Sequence, residues 1–168
     1  MSGPTQSGDE RTLLLAFLDE QRAIVRRKCS GLGAEQLDTP LPPSDMTLGG
    51  LLKHLAYVES WWTTGVLLGR DQGEPWDSVD WSADGDWDWH SAREDSPEQL
   101  WELYEREVAR ADEVIAGAAL DDPSARANAR TGERPSLRWI LLHLIEEYAR
   151  HAGHADLIRE SIDGQTDA

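Results

Sequence analysis

The chain has 168 residues, enough for one domain with a modest core. Thirty-two acidic residues against 16 basic ones give a formal net charge of −16, which argues against a nucleic-acid partner and against docking on an anionic membrane. One cysteine, Cys29, excludes an internal disulfide, a thiolate-rich zinc site and an iron–sulfur cluster. No run of 18 apolar residues is present to span a membrane. Met1 to Asp9 lacks the apolar stretch of a secretory signal, so a cytoplasmic protein is expected.

The first predicted helix covers about 9–28, with Leu13, Leu14, Phe17, Leu18, Ile24 and Val25 recurring at three- and four-residue spacing. Gly31 and Gly33 stop it, and a proline-rich loop follows. Ser44 or Asp45 is the expected cap of a second helix over about 47–68, whose apolar side carries Leu48, Leu51, Leu52, Leu55, Val58 and Trp62. Residues 70–95 show no helical period and read as a structureless connection. Nine acids there surround Trp76, Trp81, Trp87 and Trp89, half of the chain's eight tryptophans. The tryptophans read as pins that dock the connection, with a lid over a pocket as the other role, and the acids as a solvated outer face. Ser96-Pro97-Glu98-Gln99 is a helix-start signal, opening a third helix over 97–117. The fourth, 137–161, is capped by Ser136. Four amphipathic helices predict an all-α four-helix bundle in a single domain. The 26-residue link between the second and third predicts a crossover rather than up-down-up-down order. A homodimer is compatible with a bundle this small.

Five histidines are present, three of them on the last helix: His143, His151 and His154. Glu147 and His151, four apart, project from one helix face. His54 lies among leucines on the second helix. Two imidazoles and a carboxylate from facing helices are the usual construction of a bundle-core metal site. Each also has a plainer reading. His54 is equally a core histidine, the Glu147–His151 pair equally a surface pair, and His143 either a further ligand, a donor behind one or a core residue. His154 adjoins His151 on the helix wheel. Arg138 and Arg150 are cations that can hold an anionic cofactor, or form ion pairs. Trp62, with Trp61, Trp101 and Trp139, anchors a bundle end or borders the pocket. Cys29 has no neighbouring base and is expected to be inert.

Leu48-Gly-Gly-Leu-Leu-Lys-His-Leu-Ala-Tyr-Val-Glu-Ser-Trp-Trp62 and Trp139-Ile-Leu-Leu-His-Leu-Ile-Glu-Glu-Tyr-Ala-Arg-His-Ala-Gly-His154, with the Trp-rich loop between them, resemble the DinB-like superfamily of four-helix-bundle metalloproteins. The resemblance is to its actinobacterial branch of mycothiol-dependent enzymes, a group labelled a domain of unknown function. It implies a left-handed bundle with a crossover and places the family's metal triad on His54, Glu147 and His151. Many relatives have histidine at the middle position, and mycothiol-using relatives have glutamate. The metal implied is divalent: zinc first, nickel or iron as alternatives. It further implies a thiol cosubstrate, mycothiol, and S-transfer to, or isomerisation of, a small electrophilic substrate. The alternatives are a non-catalytic small-molecule or metal-binding protein and a non-haem iron oxygenase. The resemblance assigns no catalytic residue beyond the ligands.

Overall fold

The structure is a computed structural model that describes residues 4–166. Helix α1 spans Glu10–Cys29, a single turn α2 spans Ala34–Leu37, and α3 spans Leu48–Ser60. A π-helical segment, Trp61–Leu67, continues α3 without a break. Within the crossover that follows, α4 is a four-residue turn, Trp87–His90, with 3-10 turns at Trp76–Ser78 and Ser91–Glu94. After the crossover come α5, Pro97–Ala116, and α6, Leu137–Asp163. No helix among the described residues is long and apolar enough to cross a membrane.

Side-chain capping sets most of these helix starts. Asp9, Ser96 and Ser136 each accept a backbone N–H from the first turn of their helices. Ser96 and Gln99 bond reciprocally, as the helix-start signal predicts. The cap of α3 is Thr47 rather than Ser44 or Asp45; its hydroxyl accepts from the Gly50 N–H at 3.0 Å. Ser44 instead closes its own loop by accepting from the Met46 N–H.

Long-range ties give the helix directions. Glu10 pairs with Arg138 and Lys28 with Asp156, so α1 and α6 run parallel. Cys29 approaches the Leu48 carbonyl while Arg22 meets Glu59, so α3 returns antiparallel to α1. Arg26 reaches Glu105 and Arg22 reaches Asp112, which makes α5 antiparallel to α1 as well. The order is therefore up-down-down-up. The parallel α3 and α5 require the crossover that the link's length predicts.

The crossover is not structureless. Its acids bond its own backbone: Asp77 accepts from Gln72 and Gly73, and Asp80 from Ser82 and Ala83. Such short side-chain loops favour local turns over a continuous helix, which is why helical periodicity misses them. Its tryptophans pack on one face of α3. Trp87 lies over the Lys53 ammonium at 4.4 Å, Trp89 stacks on His54 at 4.6 Å, and Trp81 stacks on Tyr57 at 4.5 Å. Trp76 is buried in the core itself. A Cβ on Gly50 would lie 2.9 Å from the Trp89 ring, so glycine there lets the indole lie flat against α3.

The core also holds charge. Arg22, on the face of α1 that periodicity reads as apolar, is buried with Glu59. Its guanidinium donates twice to Glu59, at 2.7 and 2.9 Å, and to Asp112 at 2.7 Å. The Tyr148 hydroxyl donates to the same Glu59 carboxylate at 2.8 Å and lies 3.2 Å from the Tyr104 hydroxyl. Burial opposes the Arg22 charge, and Glu59 more than offsets it, so the guanidinium holds its proton more tightly than usual. One network therefore joins α1, α3, α5 and α6.

Cys29 is fully buried, and burial pushes its thiol up to about 12. Native protein should leave a disulfide thiol reagent unreacted at pH 8 and titrate one thiol per chain in urea. Rapid reaction of the native chain would contradict this burial.

Candidate metal centre

The N-terminal half of α3 and the middle of α6 run antiparallel, so His54 faces His151 across the helix pair, ring centroids 4.9 Å apart. Glu147 stands one turn before His151, its carboxylate 3.6 Å from Nε2 of that ring. One ligand atom from each of His54, Glu147 and His151 lies within 4.8 Å of the others. The structure thus brings together the three residues that the sequence motifs single out. Their side chains are 19, 16 and 9% exposed, so the cluster sits at the edge of the core with a way in from solvent.

The states of the imidazoles suit ligation. His54 Nδ1 lies 2.7 Å from Asp88 Oδ2, and a carboxylate only accepts, so Nδ1 carries the proton, and of the two neutral tautomers this contact selects the one with its lone pair on Nε2. This carboxylate–histidine arrangement is the usual support behind a metal-binding imidazole. Burial, with His54 and His154 close by, pulls His151 down to about 4, leaving a neutral imidazole at pH 7. Its Nδ1 lies 3.4 Å from His154 Nδ1, so His154 sits behind His151 as Asp88 sits behind His54. Two nitrogens and one oxygen at this spacing match an open-sided divalent metal site.

His143 stands outside the three-residue cluster. Its Nε2 lies 3.6 Å from the second oxygen of Glu147, and its ring stacks on Trp139 at 5.0 Å and meets Trp62 edge-on at 4.6 Å. Trp62 and His143 thus extend the site along the α3–α6 seam. Arg138 is not brought to it, because its guanidinium binds Glu10 and Asp121 at the start of α6. Arg150 is exposed and pairs with Glu146 at 2.8 Å, and its other terminal nitrogen lies 3.9 Å from Glu147, so it borders the cluster from the solvent side.

Sequence reasoning missed Asp88, and it did not single out Trp89 among the crossover tryptophans. Asp88 is buried, so not all the acids of the crossover form a solvated face. Trp89 covers His54 on one side and lies 5.4 Å from the His151 ring. The crossover therefore does both things weighed for it: Trp76 pins it, and Trp89 walls the cluster. Asp88 is one of nine acids in that stretch, and nothing local marks it; only the glycine at position 50 hints at a close approach.

No curated protein matches the chain. Residues 13–164 match the family model described as mycothiol-S-transferase. The chain belongs to that family.

Proposed function

We propose that this member of the mycothiol-S-transferase family binds one divalent metal, zinc first among the candidates, through His54, Glu147 and His151, and transfers mycothiol, through its sulfur, to a small electrophile. The observation that carries the reading is the convergence of the three ligand atoms, with Asp88 holding His54 in the ligating tautomer. A divalent metal held there supplies a Lewis acid that keeps a bound thiol deprotonated at neutral pH.

The chain's own residues do the rest. Asp88 fixes the His54 ring, and His151 remains unprotonated well below neutral pH. Trp89 shields one side of the cluster from water, which strengthens the electrostatics inside it. His143 lies 3.6 Å from Oε1 of the Glu147 carboxylate, and the Arg150 guanidinium lies 3.9 Å from the same atom. A cytoplasmic setting, where low-molecular-weight thiols stay reduced, accords with this chemistry. The two-histidine, one-carboxylate set is also that of non-haem iron oxygenases; family membership is what favours thiol transfer.

Purified protein should contain about one divalent metal per chain, against almost none in His54→Ala and His151→Ala, when folding is checked by circular dichroism. Metal retained by both variants would sink the ligand assignment. The metal-loaded wild type should also consume mycothiol in the presence of a general electrophile.

A further inference from the structure

About two helix turns along the seam from the metal cluster, the π-helical segment after α3 and the segment before α6 enclose a groove of about 950 Å³, within the range of small-molecule sites. Trp61 and Trp62 of the π-helical segment form one wall, Trp139 of α6 another, and Arg126 and Arg134 sit at the rim. The indoles of Trp62 and Trp139 are 5.2 Å apart and tilted by 53°, leaving faces turned toward the groove rather than stacked shut. Trp139 remains 47% exposed, among the largest uncovered apolar side chains of the described residues. This wall is continuous with the metal cluster, because both indoles contact His143, whose Nε2 lies 3.6 Å from Glu147.

The groove is lined by two arginines and one acid, Glu133, a net positive balance that runs against the rest of the molecule. In a chain of net charge −16, Arg126 makes no ion pair among the described residues; its guanidinium lies 5.0 Å over the Trp61 ring. A guanidinium stacked on a ring face still has its in-plane N–H donors free to meet an anion. Arg134 is fixed by donating to the carbonyl of Ser124 at 3.0 Å and to that of Ala125. Indole faces accept a flat ring, and a guanidinium beside them accepts an acid.

We propose that this groove is the electrophile site of the S-transfer reaction proposed above, and that it selects an aromatic ring carrying a carboxylate or sulfonate. The inference rests on that reading of the metal cluster. The thiol must place its sulfur at His54, Glu147 and His151, whereas the electrophile needs only to approach that sulfur from the side. The groove opens about two helix turns along the α3–α6 seam from those residues, with His143 between it and Glu147. With a ring bearing a leaving halide, the sulfur forms a bond to the ring carbon and the carbon–halogen bond breaks. Halide departs with the bonding pair, and the thiol proton passes to solvent, so no oxidant or reductant is needed.

Two unreactive probes isolate binding from turnover: 3,5-dinitrobenzoate and uncharged 1,3-dinitrobenzene, titrated calorimetrically into zinc-loaded and metal-free protein. The acid should bind about tenfold more tightly than the neutral ring in both forms. Arg126→Gln should bring the ratio close to one, chiefly by weakening the acid. Trp139→Ala should weaken both probes. Equal affinity of the wild type for the two rings, or an acid preference that survives Arg126→Gln, overturns the groove assignment.

Turnover is then read with mycothiol and 4-chloro-3,5-dinitrobenzoate, with KM for the acid expected to rise about tenfold in Arg126→Gln. Arene-acid binding with mycothiol transfer only to electrophiles that dinitrobenzoate does not inhibit overturns the electrophile role. Arg126-dependent binding with no thiol transfer to any electrophile overturns the S-transfer reading instead, leaving the groove's selectivity supported. The two failures are therefore separable.

Discussion

Replacing Glu59 by alanine is expected to lower the unfolding free energy by about 3–5 kcal/mol, read as a fall in the urea midpoint at unchanged slope. Glu59 is fully buried and receives two hydrogen bonds from Arg22 and one from Tyr148. Its removal strands a guanidinium inside the bundle with only Asp112 and the more distant Asp19 as carboxylate partners. Leaving one partner of a buried pair costs far more than the pair contributes over an apolar replacement. Two further variants test the cause. Glu59→Gln keeps an acceptor for Tyr148 and should lose less, while Arg22→Met combined with Glu59→Leu should recover at least half of the alanine loss. An alanine variant within about 1 kcal/mol of wild type would show that the network contributes no more than a surface pair. The effect reaches the metal cluster, because Tyr148 adjoins Glu147 and stands one turn before His151. Its bond to Glu59 ties the turn of α6 that carries Glu147 and His151 to α3.

What the sequence showed and what it hid divide along one physical line. Local signals were legible. Three- and four-residue spacing marked the four long helices, the Ser96–Gln99 capping box marked a helix start, and the length of residues 70–95 called for a crossover. The Glu147–His151 pair was legible too, since both residues lie on one turn of one helix. Contacts between distant segments were not. Arg22 and Glu59 are 37 residues apart, and a charge at an apolar register looks like a surface residue until its partner is seen. His54 and Asp88 are 34 apart, and Asp88 is chemically identical to the turn-closing acids around it. Arg138, given a choice between an anionic cofactor and an ion pair, went to Glu10 on the neighbouring helix. Periodicity reports which face a residue shares, not what stands opposite that face.

Asp88→Asn is expected to weaken metal binding 10- to 100-fold, measured by competition with a chromophoric chelator, while the fold is retained. The carboxylate of Asp88 can only accept, so it obliges His54 to carry its proton on Nδ1 and offer Nε2 outward. Asparagine has nearly the same shape but adds an amide donor. An N–H aimed at Nδ1 favours the opposite tautomer, in which the proton sits on the nitrogen that would bind the metal. The lost negative charge also removes electron push on the ring and the electrostatic attraction for a cation behind it. Asp86→Asn, two residues away on the exposed side of the same turn, keeps the chemistry of the change without the contact and should bind metal as the wild type does. Stability separates orientation from packing: Asp88→Asn should leave the metal-free urea midpoint close to wild type, because the side-chain volume is conserved. Gly50→Ala should lower it, since the added methyl meets the Trp89 ring at 2.9 Å and pushes the crossover off α3. Should Asp88→Asn keep full metal affinity, the crossover's role at this site would reduce to covering it with Trp89. A loss confined to affinity would make residues 70–95 part of the metal centre, reaching back to orient a ligand on a helix that the chain had already completed.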